Sequence, residues 1–478
     1  MPPWETSVKD EEGRLNADPM QESASPEPED VLLDEPVEDL DSPPRVIYPG
    51  EIDPDRIDAD AVKVIRRLVR HGYQAYLVGG GVRDLLLGNK PKDFDIATDA
   101  RPNEVRRLFR NCRIIGRRFR LAHILFAGGK IIEVATFRRD PSQERALALY
   151  GEREDERELA ETNGDFSDAG SEDEDLLIRS DNTFGEPHED AIRRDFTLNG
   201  LFYDLERGEI IDYIGGVPDL RRRTLRMIGD PDVRVREDPI RILRAIKFSA
   251  RLDLGIDPSL YETMLALRGE IRRAARPRVL EELLRLMRGG AAQRSIYLAW
   301  DSGVLAVILP EVAAYLDDAS PGSDLTWRRL SAIDRRLREG RLPSDAVLLA
   351  SLLWEPMQEY LQGSPAPGDA FEEFMVDLVL RLNLPRRMKD RIRCIVASQR
   401  RMRAGKIRGL TKRDFFDDAL TLFTLDCEAR LEDIPSWARM PANTAAAHES
   451  TRDEGPRRPR RRRRAPFGNG QRRSANRG

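Results

Sequence analysis

Short apolar runs separated by turn-forming residues occupy the first half of the patterned chain, and long amphipathic stretches occupy the second. In DADAVKVIRRLVRHG, Ala61, Val64, Ile65 and Leu68 recur at helical spacing, which predicts a helix that stops at Gly72. QAYLV then reads as a strand, GGGVRDLLLGN as a brief helix ended at Gly88 and Asn89, KDFDIAT as a second strand, and RPNEVRRLF as a helix opened by Pro102. CRIIG, LAHILF and IIEVATF are three further strands, divided by basic or glycine-rich turns. Residues 139–185 break the pattern with a segment too polar and acidic to pack, an excursion from the fold. The pattern resumes at EDAIRRDFTLNGLFYD and EIIDYIGG. From about Val217 strand signals vanish, and amphipathic helices follow one another from DPIRILRAIKFSARLD to TKRDFFDDALTLFTL.

This order predicts an α+β protein. A mixed α/β head spans residues 45–215, with an acidic disordered insertion at 140–180, and leads into an all-α neck at 216–285 and a helical body at 286–435. Residues 1–44, rich in Pro, Glu, Asp and Ser, form a disordered acidic arm, and residues 436–478 a disordered arginine-rich tail.

A chain of 478 residues can bury a sizeable core even with 34% charged residues and a mean hydropathy of −0.54. The longest apolar stretch, AVLLASLLW near Ala346, is far too short to cross a bilayer, and the acidic start lacks the basic lead and apolar run of an export signal. The expectation is a soluble, cytoplasmic protein in a reducing compartment, with no membrane partner. Cys112, Cys394 and Cys427 lie far apart, and His71, His123, His188 and His448 are equally scattered, so no zinc site is expected. The net charge of −5 conceals a partition. Residues 1–44 carry fourteen acidic and two basic side chains, and residues 151–179 carry twelve and three, whereas PRRPRRRRRAPFGNGQRRSANRG at the end holds ten arginines and no acid. A polyanionic partner is the simplest use of such a tail, with Arg461, Arg462 and Arg463 at its densest point; a solubilising end is the alternative.

The chemistry concentrates in KPKDFDIATDA. On a strand, positions i and i+2 share a face, which sets Asp93 and Asp95 side by side with Phe94 opposite. Two carboxylates so placed force one to keep a proton unless cations lie between them. A pair of Mg²⁺ ions about 4 Å apart relieves that repulsion and clamps the attacking and leaving oxygens of a phosphoryl or nucleotidyl transfer. A chance D-x-D at a strand edge is the alternative. Upstream, YLVGGGVRD runs a strand through Gly79 and Gly80 into a helix start, where backbone N–H groups can approach a triphosphate and Arg83 can reach the same phosphates. Either feature alone fits a plain turn; strand, Gly-Gly, helix and D-x-D strand in that order is more specific. Glu133, alone among apolar residues in IIEVATF, needs a partner, either metal or arginine. Asp195 in AIRRDFTLNGLFYD either touches the metal site or orients Arg193 and Arg194.

In REDPIRILRAIKFSARLD, Asp238 and Pro239 suit an N-cap and first helical position, Glu237 and Arg241 have salt-bridge spacing, and Arg241 and Arg244 share a face. By itself this is a well-capped helix with a solvated basic stripe. Behind a nucleotide site, its Arg and Asp side chains offer donors and acceptors to a base edge and so choose a nucleotide without a template. LFRNCRIIGRRFRLAHILF gathers Arg110, Arg113, Arg117, Arg118 and Arg120 around Phe119, either a solvated hairpin tip or a contact for an RNA backbone or stacked base.

Assembled, these motifs resemble the class II branch of the nucleotidyltransferase superfamily, which contains bacterial poly(A) polymerases and CCA-adding tRNA nucleotidyltransferases. LVGGGVRDLLLG, KDFDIAT, RRDFTLNGLFYD, YIGGVPDL and REDPIRILRA match family motifs in family order, strongly over Val46 to Leu260 and weakly beyond. LFRNCRIIGRRFRLAHILF, IIEVATFR, DNTFGEPHEDAIRRDFT and the arginine tail resemble the poly(A) polymerase type. The resemblance implies that Asp93 and Asp95 hold Mg²⁺, two ions being expected, and that Glu133 or Asp195 completes the acidic site. It implies that Gly79, Gly80, Arg83 and Arg194 hold the nucleotide phosphates, and that Asp238, Arg241 and Arg244 recognise the base. The implied reaction is in-line attack of an RNA 3′-hydroxyl on the α-phosphate of ATP, on mRNA, regulatory RNA or tRNA. A CCA-adding enzyme and a non-catalytic RNA-binding protein on the same scaffold are the alternatives. Gly200 stands where Ala or Ser is more usual, which loosens that segment but removes no acid.

Truncation after Ala447 is expected to weaken RNA affinity and flatten its dependence on salt, because arginines that neutralise phosphates release counterions. Titration of a labelled RNA at several salt concentrations checks this; equal slopes with and without the tail contradict it.

Overall fold

The structure is a computed structural model, and it describes residues 45–116, 120–139, 184–318 and 321–439. The acidic arm, the acidic insertion and residues 440–478 of the arginine tail, with Arg117, Arg118, Arg461, Arg462 and Arg463, lie outside the described residues, whereas Ser436–Ala438, expected to be disordered, form a helical turn with Ala438 buried.

Eight strands build one sheet: β1 (Val46–Pro49), β2 (Ala75–Val78), β3 (Asp95–Thr98), β4 (Cys112–Ile115), β5 (Leu121–Leu125), β6 (Ile131–Thr136), β7 (Phe202–Asp204) and β8 (Glu209–Asp212). Their order is β1-β8-β7-β2-β3-β6-β5-β4. Every neighbouring pair is antiparallel except β3 and β6, whose parallel pairing needs the long crossover through helix Pro102–Leu108 and the β4–β5 hairpin. Helix α1 (Ala59–Arg70) starts where the Asp58 carboxylate accepts from the N–H groups of Asp60 and Ala61, at 2.8 and 3.3 Å. The apolar stripe read from its spacing, Ala61, Val64, Ile65 and Leu68, is its buried face and joins Leu77, Ile96, Ile124, Ile132 and Val134 of the sheet. Val78, Ala97, Phe137, Phe202 and Ile211 form a smaller cluster on the opposite face.

The strand predicted from Lys92 begins only at Asp95, so Asp93 lies just ahead of β3 and not on it. Arg138 and Phe184 pair as an antiparallel bridge, so the chain leaves the head and re-enters it at one place.

Helix α2 (Gly80–Leu86) follows β2, α3 is the crossover helix Pro102–Leu108, and α4 (Pro187–Ile192) precedes a tight turn at Thr197–Asn199. After β8, the Asp212 carboxylate accepts from the N–H groups of Ile214, Gly216 and Val217 at 3.1, 3.0 and 2.9 Å and turns the chain into α5 (Gly216–Arg221). Here backbone meets backbone: a Cβ on Gly216 would lie 2.4 Å from the Thr197 carbonyl oxygen. A Cβ on Gly200 would lie 2.1 Å from Ile214 Cδ1, so this glycine makes the segment tight where looseness was expected.

Strand signals do not end at Val217, because β9 (Thr224–Leu225) and β10 (Gly255–Ile256) form a small parallel pair too short for any alternation to show. Helices α6 (Pro231–Glu237), α7 (Ile240–Leu252), α8 (Pro258–Leu267) and α9 (Arg276–Arg288) follow, and eight more run to Arg430 among the described residues. One apolar core extends from Ile52 to Leu425, through sheet and helices alike. In its helical part Arg329 is fully buried between Glu355 and Asp426, and the Trp354 indole N–H donates to the same Asp426 at 3.1 Å. No helix among the described residues is long and apolar enough to cross a membrane.

Gly216→Ala is expected to destabilise the chain by at least about 2 kcal/mol, since the clash is with rigid backbone and not with a mobile side-chain end. Urea unfolding measures it, and a change under about 0.5 kcal/mol contradicts the packing described.

Candidate active site

A cavity of about 1230 Å³ opens between the sheet and the first neck helices. Its walls include Gly79, Gly80, Arg83, Asp93, Asp95, Glu133, Arg194, Asp195, Asp238, Arg241 and Arg244, so residues up to 165 positions apart in the chain meet in one space. Arg120 is absent from it; this exposed residue precedes β5 with a left-handed φ of 39°.

The acidic end of the cavity is set by strand register. Asp95 lies opposite Glu133 on parallel β6, and Glu133 lies opposite His123 on antiparallel β5. Partners in register share a face, so the three side chains form a row across adjacent strands. Burial, then the negative charges of Glu133 and Asp93, pushes the Asp95 carboxyl up to about 6, with Arg194 only partly offsetting them. Glu133 was expected to need metal or arginine as a partner in a buried strand. Its side chain is in fact 47% exposed, because this face of β6 looks into the cavity, and its partner is His123 Nε2 at 3.3 Å. Among the described residues neither Asp93 nor Asp95 has a salt-bridge partner, and no three acidic, histidine or cysteine side chains close on one point. Two carboxylates supplying only oxygen, in a field of uncompensated negative charge, suit Mg²⁺, which is held by one or two carboxylates with substrate phosphates and water completing its shell.

The cationic walls are ordered by a second set of acids. Gly79 has φ 68° and ψ −129°, a conformation open to glycine, and a Cβ there would lie 3.0 Å from Arg194 Nη1. Arg194 donates through Nε and Nη2 to Asp190 at 3.2 and 2.8 Å and through Nη1 to the Asn199 carbonyl at 3.0 Å. Arg83, expected to reach the phosphates, lines the cavity as an anchored side chain. Its Nε and Nη2 donate to Asp84 at 2.8 and 2.7 Å, and its Nη1 donates to Asn199 Oδ1 at 2.7 Å. Burial holds this guanidinium below its usual range.

Asp195 does not orient Arg193 or Arg194, which pair with Asp190. It accepts from Arg244 Nε at 2.6 Å, from Asn199 Nδ2 at 2.9 Å and from the Phe196 N–H at 2.9 Å. Burial would raise its carboxyl, yet Arg244, Asn199 and Arg241 outweigh it and hold the group at about 2. Its charge is thereby paired with Arg244.

On the neck, Asp238 Oδ1 accepts from the Ile240 N–H at 3.3 Å, the capping role expected of it, although regular α7 begins one residue later than Pro239. The predicted Glu237–Arg241 bridge is present at 2.9 Å; because Glu237 ends α6, it ties two helices together. Arg278 of α9 grips Asp238 with both Nη atoms, at 3.1 and 2.7 Å. Asn199, Lys247, Phe248, Arg278 and Glu282 also line the cavity and were missed from the sequence. Lys247 and Phe248 continue the face of Arg241 and Arg244 and were readable at helical spacing; Arg278 and Glu282 lie on another helix and gave no local signal.

The family model described as "Poly A polymerase head domain" matches residues 75–226, and one described as "Probable RNA and SrmB-binding site of polymerase A" matches residues 253–316. Poly(A) polymerase I of Salmonella typhimurium is 38% identical over 369 residues, covering 73% of this chain and 74% of that relative. The CCA-adding enzyme of Geobacillus kaustophilus is 30% identical over 326 residues, covering 68% and 71%. Among solved structures, the Bacillus stearothermophilus CCA-adding enzyme in complex with CTP superposes with a TM-score of 0.52 at 25% identity, covering 77% of each chain.

Asp95→Asn is expected to stabilise the metal-free protein at pH 8 by on the order of 1–3 kcal/mol, because it removes a charge the fold holds at a cost. The folded carboxyl sits at about 6 against an ordinary 3.8, so the wild type loses this stability as pH rises between those values and the variant does not. Urea titrations at pH 4 and pH 8 check the sign; a gain that is equal at both contradicts it.

Proposed function

The chain belongs to the bacterial poly(A) polymerase family, a branch of the class II nucleotidyltransferases, and from that premise we propose how its cavity transfers AMP from ATP to the 3′ end of an RNA. The observation that carries the reading is the pair of unpaired acids, Asp93 and Asp95, at one end of a cavity whose other walls are arginine-rich. Residues 45–215 carry the transfer, residues 216–285 read the base, and residues 286–435 with the tail hold RNA.

Asp93 and Asp95 would hold Mg²⁺, two ions being the expected number, and metal bound there supplies positive charge to the phosphate oxygens of ATP. Asp93, ahead of the strand, and Asp95, on its first residue, offer oxygens from two neighbouring backbone positions. Glu133, held by His123, borders the same space and adds to the field that favours a cation. Backbone at Gly79 and Gly80 approaches the triphosphate without a side chain in the way, and Arg194, fixed by Asp190 and Asn199, faces it. Asp195 is a positioning residue: it spends its charge on Arg244 and so aims that guanidinium into the cavity. Asp238, Arg241 and Arg244 form the wall against which the adenine lies, with Arg278 fixing Asp238. With ATP so placed, the RNA 3′-hydroxyl attacks the α-phosphorus in line, the bond to the β-phosphate oxygen breaks, and pyrophosphate leaves.

Asp93→Ala and Asp95→Ala in the full chain are each expected to lower ATP incorporation about 1,000-fold or more while changing RNA affinity less than about threefold. A primer-extension assay with a generic RNA, and with tRNA lacking its CCA end, measures this alongside CTP. Undiminished incorporation by either variant contradicts the site. Incorporation of CTP followed by a halt after three nucleotides contradicts poly(A) synthesis.

A further inference from the structure

Phe248 on α7 is only 7% exposed, yet three cations stand against its ring. The Arg83 and Arg244 guanidinium carbons lie 5.2 and 5.4 Å from the ring centroid, and Lys247 Nζ lies 5.0 Å from it. Arg83 comes from the glycine-led helix of the head and the other two from the neck. Phe196 closes another side edge-on, with centroids 5.7 Å apart. Each cation has a close acid: Asp84 at 2.7 Å for Arg83, Asp195 at 2.6 Å for Arg244 and Glu282 at 2.7 Å for Lys247, the last shared with Arg285.

Three like charges gathered in a partly desolvated space repel one another. Burial holds both Arg83 and Lys247 below their usual ranges, and Arg244 lowers Lys247 further. The negative face of an aromatic ring attracts cations and carries no formal charge, so beyond the three paired acids it holds the cations together without adding negative charge beside the cavity. A fourth acid in the same place would leave the group net negative. All four residues line the cavity, and Arg83 reaches within 3.4 Å of where a Cβ of Gly80 would stand, beside the proposed phosphate cradle.

We propose that Phe248 is a positioning residue for nucleotide binding, whose ring holds Arg83, Arg244 and Lys247 together as one cationic wall, Arg244 at its adenine end and Arg83 and Lys247 toward the triphosphate of ATP. This role rests on the reading of the cavity as the ATP site.

Mono-, di- and trifluorinated phenylalanine at position 248 withdraw charge from the ring face stepwise while nearly preserving its shape. Calorimetric titration of the full chain with a non-hydrolysable ATP analogue is expected to show Kd rising with each fluorine, to about tenfold for the trifluorinated form. Adenosine, which lacks phosphates and meets only Arg244 of the three cations, should weaken by about twofold at most. A flat series, or an equal loss for adenosine, overturns the role, since a merely structural ring would give one or the other. If the unsubstituted chain itself fails to bind the analogue, the reading of the cavity fails and the role falls with it. Should a fluorinated form not fold, Phe248→Tyr and Phe248→Leu replace it: the tyrosine form should bind near wild-type strength and the leucine form more weakly, and equal binding overturns the proposal.

Discussion

Carboxylates held a strand spacing apart in a partly desolvated cleft resist ionising together, and this protein holds Asp95 and Glu133 in just that relation through the register of β3 on β6, with the Asp95 carboxyl pushed up to about 6. Asp93, just outside the strand, adds a third negative charge. What makes the arrangement informative is the contrast with its surroundings. Asp190 serves Arg193 and Arg194, Asp195 serves Arg244, Glu237 serves Arg234 and Arg241, and Glu282 serves Lys247 and Arg285. Far away in the helical body, even the buried Arg329 has both Glu355 and Asp426. Among the described residues Asp93 and Asp95 have no ion-pair partner, and they border the cavity between the sheet and the neck.

Head and neck act as one device because polar bonds and apolar core cross between them together. Arg234 of α6 donates at 2.7 Å to the carbonyls of both Arg193 and Arg194, Arg244 reaches Asp195, and Phe248 packs edge-on to Phe196. The segment between α4 and β7 is therefore clamped from the neck side, and Gly200 and Gly216 let it close tightly on the turn after β8. Selection of a nucleotide by side chains alone requires such stiffness, since a base edge is distinguished only by groups that cannot rearrange to suit the wrong one.

Much of this was legible in the sequence, for identifiable reasons. Strands β2 to β6 and α1 were readable because their apolar periods are clean, whereas the edge strand β1 was not read, and the meeting of Gly79, Gly80, Asp93 and Asp95 in one cavity was readable because short motifs place them within one strand-helix-strand unit. The Glu237–Arg241 bridge followed from spacing alone. What failed were statements about partners distant in the chain. Glu133 looked buried because its neighbours are apolar, but the open side of β6 and the pairing with His123 are set by β5. The bond of Arg83 to Asn199, 116 residues away, gave no local signal. Asp195 was left between the metal site and its neighbours Arg193 and Arg194, and its partner Arg244 on α7 gave no local signal. The two-residue strands β9 and β10 carry too few positions for a period.

The central claim is that Asp93 and Asp95 are the metal ligands and that Asp195 is not. Crystals grown with Mn²⁺ and a non-hydrolysable ATP analogue, measured for anomalous scattering, test it directly. The account predicts manganese within about 2.0–2.3 Å of carboxylate oxygens of both Asp93 and Asp95, with Asp195 still bound to Arg244. Manganese seated on Asp195, or no manganese between the two strand-edge acids with nucleotide bound, would contradict it.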